Sequence, residues 1–418
     1  MTSKMDEDVI YKLPAELWIS VFQLIAPVYY EQDRSAKAHI RIHFRHAPLH
    51  RVRNSVPKVY KEKYAICKNV ALTCSTFARF VTPVLYSHTF LRGDSAMMNF
   101  LQTIKTNPAL SPYVKALVLL PDNSTSRIWR HYDTLVSMLP NLRVFHMTSK
   151  LPEKQLNYPP SIEVLDAFLR YDSVATTRAI QISLLRNLRI LSLHSDNEFP
   201  KSFEATCLLF PSLSALDITS VNNPVLLSVL PTWRMPKLSV LCMSIPPYGY
   251  LLVDLLKAVS RTILLLQLSL RPPMEEASSP QLTLPRLKEL TLVARSMDTS
   301  PCTAALRVFH SLPALQLLNV AQPHRSVGRM EHVNLHATLE MVHHMVEGMN
   351  SLPKALESIR VWESRQRDMG DLDSPIVAYG VIRGHEARFH RVGLRLMVMG
   401  PSGKYIPAMG ALIEVARG

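Results

Sequence analysis

Two stretches of the chain hold residue types capable of chemistry. Gly400-Pro401-Ser402-Gly403-Lys404 groups glycines, a hydroxyl and an amine. A phosphate loop needs G-x-x-x-x-G-K-[ST], with the hydroxyl after the lysine placed for a magnesium ion. Here the spacing is shorter and Tyr405 follows Lys404. His332, His336, His343 and His344 form the second group, and His332 and His336 are spaced to share a helix face. No H-E-x-x-H and no neighbouring cysteine pair completes a metal set. Cys67, Cys74, Cys207, Cys242 and Cys302 are scattered, without C-x-x-C, so neither a zinc ribbon nor a disulfide framework is expected. A reducing compartment fits that usage. No G-x-S-x-G elbow occurs. The expectation is a chain without catalytic residues, cofactor or metal.

Composition points to construction rather than chemistry. The 418 residues are 47% hydrophobic, with 12 Gly and 30 Pro. That suits a large core made of many short elements with Pro-marked turns. The formal net charge is +14. Such basicity fits nucleic acid, anionic membranes or acidic partners. Residues 31–63 hold nine Lys or Arg against three Asp or Glu, yet show no RRM, zinc-finger or helix-turn-helix signature. The N-terminal residues MTSKMDEDVIYK contain no apolar signal-peptide core. The run TILLLQLSL at 262–270 is too short to span a bilayer. A cytoplasmic or nuclear location, with no membrane partner, is the expectation.

The elements that would position a site repeat. The template L-x-x-L-x-L begins at Val114, Leu142, Ile162, Leu188, Leu213, Leu238, Leu265, Leu287, Leu315 and Leu356. Start-to-start spacings are 28, 20, 26, 25, 25, 27, 22, 28 and 41. The fourth and sixth residues of a short strand point to one side and those between them to the other. One strand cannot bury its apolar side alone, whereas stacked copies with helical returns form a continuous core. Helical apolar spacing is expected in the returns Ser202–Phe210, Val225–Leu230, Tyr250–Val259 and Thr303–Leu312. This pattern resembles a leucine-rich repeat array of irregular type, over 93–365. The Asn or Cys that many such repeats carry after the strand is mostly missing. The resemblance implies a parallel concave sheet with helices outside. Side chains flanking template residues 4 and 6 would line that concave face: His146, Asp166, His194, Asp217, Arg271, Glu289, Asn319, Arg360 and Trp362. As a group they are candidates for substrate contact.

A helix is expected from about Leu335 to Met349. The stretch 376–399 reads as two strand-like runs, part of a capping region at 366–418 that covers the last repeat's open edge.

At the front, LPAELWISVFQLIAP (13–27) follows a short tail, 1–12. Leu17, Val21, Leu24 and Ile25 fall at i, i+4, i+7 and i+8. Pro14 suits the first turn and Pro27 ends the helix. Tyr64–Arg92 supplies a second helical pattern through Val70, Cys74, Phe77 and Val81, which Pro83 is expected to break. Together the two pieces resemble an F-box. Leu13, Pro14, Glu16, Leu17, Val21 and Phe22 fit its first half; Leu72, Cys74, Phe77, Pro83, Leu85 and Tyr86 fit its second. The resemblance covers about a tenth of the chain, and the basic insertion 28–63 departs from it. The overall arrangement is similar to the large F-box families of mushroom-forming fungi.

The resemblance implies an α/β chain: a small helical F-box at 13–92, then the repeat solenoid. It implies a substrate-recognition subunit of an SCF-type cullin–RING ubiquitin ligase. The F-box would bind a Skp-type adaptor, and through it the cullin scaffold, while the array holds a protein substrate. Leu13, Pro14, Leu17, Trp18, Val21, Phe22, Leu72, Phe77, Pro83, Leu85 and Tyr86 would form the adaptor-binding set. Two alternatives stay open: a repeat scaffold without ligase coupling, and a nucleic-acid-associated protein acting through 31–63.

Overall fold

A strand with leucines at alternate positions gains little until a neighbour covers the same side. In the computed structural model the repeated segments cover one another in series. The structure describes residues 14, 16–18, 20–21, 64–120, 131–147, 157–169, 175–195, 207–220, 224–244, 249–270, 282–294, 309–321, 339–340, 342–344, 346, 353–362 and 375–399. Fourteen strands occur among them: β1 (His88–Arg92), β2 (Ala116–Leu120), β3 (Val144–Met147), β4 (Val164–Leu169), β5 (Ile190–Ser195), β6 (Ala215–Ser220) and β7 (Val240–Ser244). They continue with β8 (Leu265–Leu270), β9 (Leu282–Thr283), β10 (Glu289–Ala294), β11 (Phe309–Ser311), β12 (Leu317–Ala321), β13 (Ser358–Trp362) and β14 (Arg395–Met399). Twelve form one sheet in chain order, β1 to β8 and then β10, β12, β13 and β14. Every pairing in it is parallel. The remaining two, β9 and β11, pair with each other.

Nine strands, β3–β8, β10, β12 and β13, begin with the same hydrogen-bonded device. From Lys115 to Gln316, the carbonyl of the second template residue accepts two amide bonds from the next copy. Arg143 and Val144 donate to Lys115 at 2.8 and 3.0 Å, for example, and Ser239 and Val240 to Ser214 at 2.9 and 3.0 Å. Side chains reinforce this edge: Ser161 Oγ donates to the Leu142 carbonyl at 2.7 Å, and Asn141 Nδ2 to that of Pro112 at 2.8 Å. The register corrects one expected start. Leu265 aligns with Val240 and Glu289, so that copy begins at Ile263, two residues before the template expected there.

The core follows from alternation. Leu117, Phe145, Leu165, Leu191, Leu216, Leu241, Leu266, Leu290, Leu318, Ile359 and Leu396 form one buried row across the sheet, none more than 3% exposed. Helices Gly93–Thr106, Tyr132–Ser137, Ala175–Ser183, Pro224–Val229 and Gly249–Val259 supply Phe100, Leu135, Ile182, Leu226 and Leu255 to the same cluster. A second cluster lies on the other side of the strands: Ile190, Ala215, Val240, Cys242 and Leu265, with Val164 packed against it. This α/β organisation with an all-parallel sheet agrees with the coarse expectation.

Four local expectations are corrected. Residues 207–210 are not helical: Cys207 has φ 59° and Leu209 bridges to Arg234. Residues 309–311 are strand rather than helix, because they pair with β9. The helix Ser75–Ser87 runs through Pro83, whose missing N–H removes one intrahelical bond without ending it. The stretch 376–399 is not two strands; Pro375–Arg391 is a helix and only β14 follows. That helix buries His385 and Phe389 one turn apart. It closes in a Schellman turn, with Leu394 N–H donating to the Phe389 carbonyl, Gly393 N–H to that of His390, and Gly393 at φ 76°. β14 pairs with β13, so the sheet extends past 365. At the other end it begins at His88, inside the F-box-like segment. Among the described residues no helix is long and apolar enough to cross a membrane.

Candidate functional site

The front helices divide their apolar residues between an inside and an outside. Residues 64–71 are helical, and Cys74 caps the helix Ser75–Ser87, its sulfur accepting the Phe77 N–H at 3.4 Å. Cys67, Val81 and Val84 form a small buried nucleus. Trp18, Val70, Ala71, Phe77, Phe80 and Leu85 pack on it, with the Trp18 and Phe77 rings edge to face at 5.0 Å. Residues 16–18 and 20–21 are helical, so Trp18 anchors the first piece to the second. The Pro14 carbonyl accepts from the Leu17 and Trp18 amides at 3.0 and 3.3 Å. Leu17 and Val21, one turn apart, are 49% and 41% exposed, and Leu72 is 74% exposed. Pro14 is exposed as well, and Pro83 is half-buried. Tyr86 packs against the large leucine core, and burial, followed by nearby Tyr64, raises its hydroxyl pKa. Leu13 and Phe22 lie outside the described residues, as do 28–63.

The second candidate surface is the sheet side turned away from the large core. In register across the strands stand His146, Asp166, Ser192, Asp217, Cys242, Gln267, Thr291, Asn319 and Arg360. His146, Asp166, Asp217 and Asn319 are buried rather than solvated. His146 Nδ1 and Asp166 Oδ2 are 3.0 Å apart. Asn319 Nδ2 donates to Glu289 Oε1 at 2.8 Å and to Thr291 Oγ1 at 3.0 Å. Glu289 sits two residues before this row on the same side. His194 and Trp362 stand two residues after it, at backbone positions paired with Ser220 and Ala321. Arg271 lies outside the described residues. So do His332, His336 and residues 400–404.

The row's order limits its chemistry. A serine nucleophile needs a histidine between itself and the carboxylate. Here Asp166 stands between His146 and Ser192. Cys242 is held as the neutral thiol: burial, then the Asp217 and Glu289 carboxylates, push its pKa well up. It should resist alkylation in the native state while exposed Cys207 reacts, as mass spectrometry of iodoacetamide-treated protein would read. Above pH ~8.5 the thiol ionises first in the unfolded chain, so its contribution to stability is complete below that pH and falls above it. Among the described residues no three His, Cys, Asp or Glu side chains group as metal ligands. What the row offers is buried hydrogen-bonding capacity, including Gln267 Oε1 and Asn319 Oδ1, which accept no hydrogen bond among the described residues.

No protein-family model and no curated protein matches the chain. What it does must therefore be read from its own residues. Ser192, Cys242, Gln267 and Thr291 belong to the row but escaped the sequence expectation. Each is the fifth residue of its template copy, a position that finds the row once the copy at Ile263 is set correctly. Replacing His146 by leucine should cost about 1.5–3 kcal/mol, since it removes a donor from a nearly fully buried carboxylate. His146→Leu and Asp166→Leu combined should cost less than the sum of the two, read by urea denaturation.

Proposed function

We propose that the chain is the substrate-recognition subunit of an SCF-type ubiquitin ligase. The front helices are the F-box and bind a Skp-type adaptor. The stacked strands are a leucine-rich-repeat solenoid whose polar row and its flanks contact a protein substrate. The observation that carries this reading is the division of the front helices. Trp18 and Phe77 hold the two pieces together, leaving Leu17, Val21 and Leu72 on the outside of a module joined directly to the first strand. An exposed apolar helix face of this kind fits a partner's groove. In this role the protein raises the effective concentration of substrate lysines near the ligase and breaks no bond itself. Its place of action would be the cytoplasm or nucleus.

Affinity purification of the full chain with recombinant Skp-type adaptor and cullin tests the reading. Recovery of both is the expected result. Adaptor without cullin would instead support a scaffold uncoupled from the ligase, and recovery of neither would remove the assignment.

A further inference from the structure

Net charge outside 31–63 differs between the two edges of the sheet. The turns that lead into β2–β8, β10 and β12–β14 include RNLR at 186–189, RMPK at 234–237 and PRLK at 285–288. Together these turns carry ten Lys or Arg, against Glu163 and Glu357. Arg186, Arg189, Arg234, Lys237, Arg286 and Lys288 are all exposed. The connections that leave the strands at their other ends are balanced in sequence. Segments 121–131, 148–157, 170–174, 196–206, 221–223, 245–248, 271–281, 295–308, 322–338 and 363–374 hold thirteen Lys or Arg and fourteen Asp or Glu.

We infer that the strand-start edge of the sheet is a docking rim for the phosphate backbone of duplex nucleic acid. At a strand spacing of about 4.8 Å, eleven successive turns extend roughly 48 Å. That length presents a line of cations to a polymer carrying about one charge per 1.7 Å. Six of the ten are arginine, whose fork suits phosphate oxygens. An acidic peptide is the poorer fit. Peptides gain affinity on sheets by backbone pairing, and here the second-residue amides and carbonyls are already spent on the next copy. Single strands are disfavoured too, because they need stacking platforms. Among the described residues of these turns Tyr113 is the exposed aromatic, at 39%. Binding should therefore be independent of sequence and governed by counterion release. This rim is separate from the adaptor reading and stands or falls without it.

The test is fluorescence anisotropy of the full chain with a labelled mixed-sequence DNA duplex of about 20 base pairs, between about 50 and 200 mM salt. The expected result is binding whose log K falls linearly with log salt. A variant carrying Arg189→Glu, Lys237→Glu, Arg286→Glu and Lys288→Glu should lose that binding, or shallow its salt slope by about four. A charge-matched control, Arg41→Glu, Arg45→Glu, Arg51→Glu and Arg53→Glu, should bind within about twofold of the unchanged chain on this reading. Because the rim residues are exposed, circular dichroism should be unaltered. Should the variant misfold, duplex protection of Lys237, Lys288 and Lys354 from acetylation in the unchanged chain gives the same answer. Wild-type affinity in the rim variant, equal loss in the control, absent lysine protection, or tighter binding of polyglutamate than of duplex would each overturn the inference.

Discussion

Leu241→Ala should lower the free energy of unfolding by about 2–5 kcal/mol and break the sheet's cooperativity at its centre. Leu241 is fully buried and stands in register with Leu216 on one side and Leu266 on the other. Truncation there leaves a cavity under three strands at once. Energy in such an array is a sum of copies and nearest-neighbour interfaces. The loss therefore falls on β6, β7 and β8 together. Urea unfolding followed by circular dichroism should shift its midpoint and broaden. Amide exchange should rise first over 213–244 and 263–270. Val240→Ala, one residue earlier and on the opposite side, removes two methyl groups from the smaller cluster. It should cost only about 1–2 kcal/mol, at ~0.8 kcal/mol per buried group. Equal costs for the two substitutions would mean that the side carrying the helices is not the main core.

The array was legible because its signal is local and repeated. Alternation fixes which leucines face inward, and a tight turn before each strand fixes where it starts. The exception at 262–270 shows why both are needed. In TILLLQLSL the template fits from Ile263 and equally from Leu265, and a shift of two leaves the same side chains inward. The turn decides: Ile263 N–H donates to the Val259 carbonyl, and Leu264 N–H to that of Ser239. The helix Pro375–Arg391 was hidden differently. Its first half, IVAYGVI, favours strand by composition, and Gly380 and Gly384 weaken helix propensity. Burial of Phe389 against the last strands and the Gly393 stop outweigh both. The polar row was half legible. Its residues could be placed on one face, but their burial depends on neighbours across the sheet, which no single copy reveals. At the front, the resemblance placed Leu17, Trp18 and Val21 together in the adaptor-binding set; only the Phe77 ring separates the anchor from the exposed pair.

That separation gives the sharpest test of the proposed adaptor face. Leu17→Asp and Val21→Asp should each weaken adaptor binding at least about 30-fold, the scale of a hot-spot loss of 2 kcal/mol or more. A carboxylate there would have to be desolvated in an apolar groove with no partner. Both side chains are nearly half exposed in the free chain, so its thermal midpoint should scarcely change. Trp18→Ala should behave in the opposite sense. It removes the edge-to-face contact with Phe77 and the cover over Cys67, Val81 and Val84. The cost is up to about 3–5 kcal/mol in the front module, and adaptor binding fails because the helix is no longer held. Limited proteolysis separates the two causes: Trp18→Ala exposes 64–87 to rapid cleavage, while Leu17→Asp leaves the fragment pattern intact. If Leu17→Asp retained the adaptor at full yield, the exposed face would not be the interface. If it were cleaved like Trp18→Ala, Leu17 would belong to the fold and not to the docking surface.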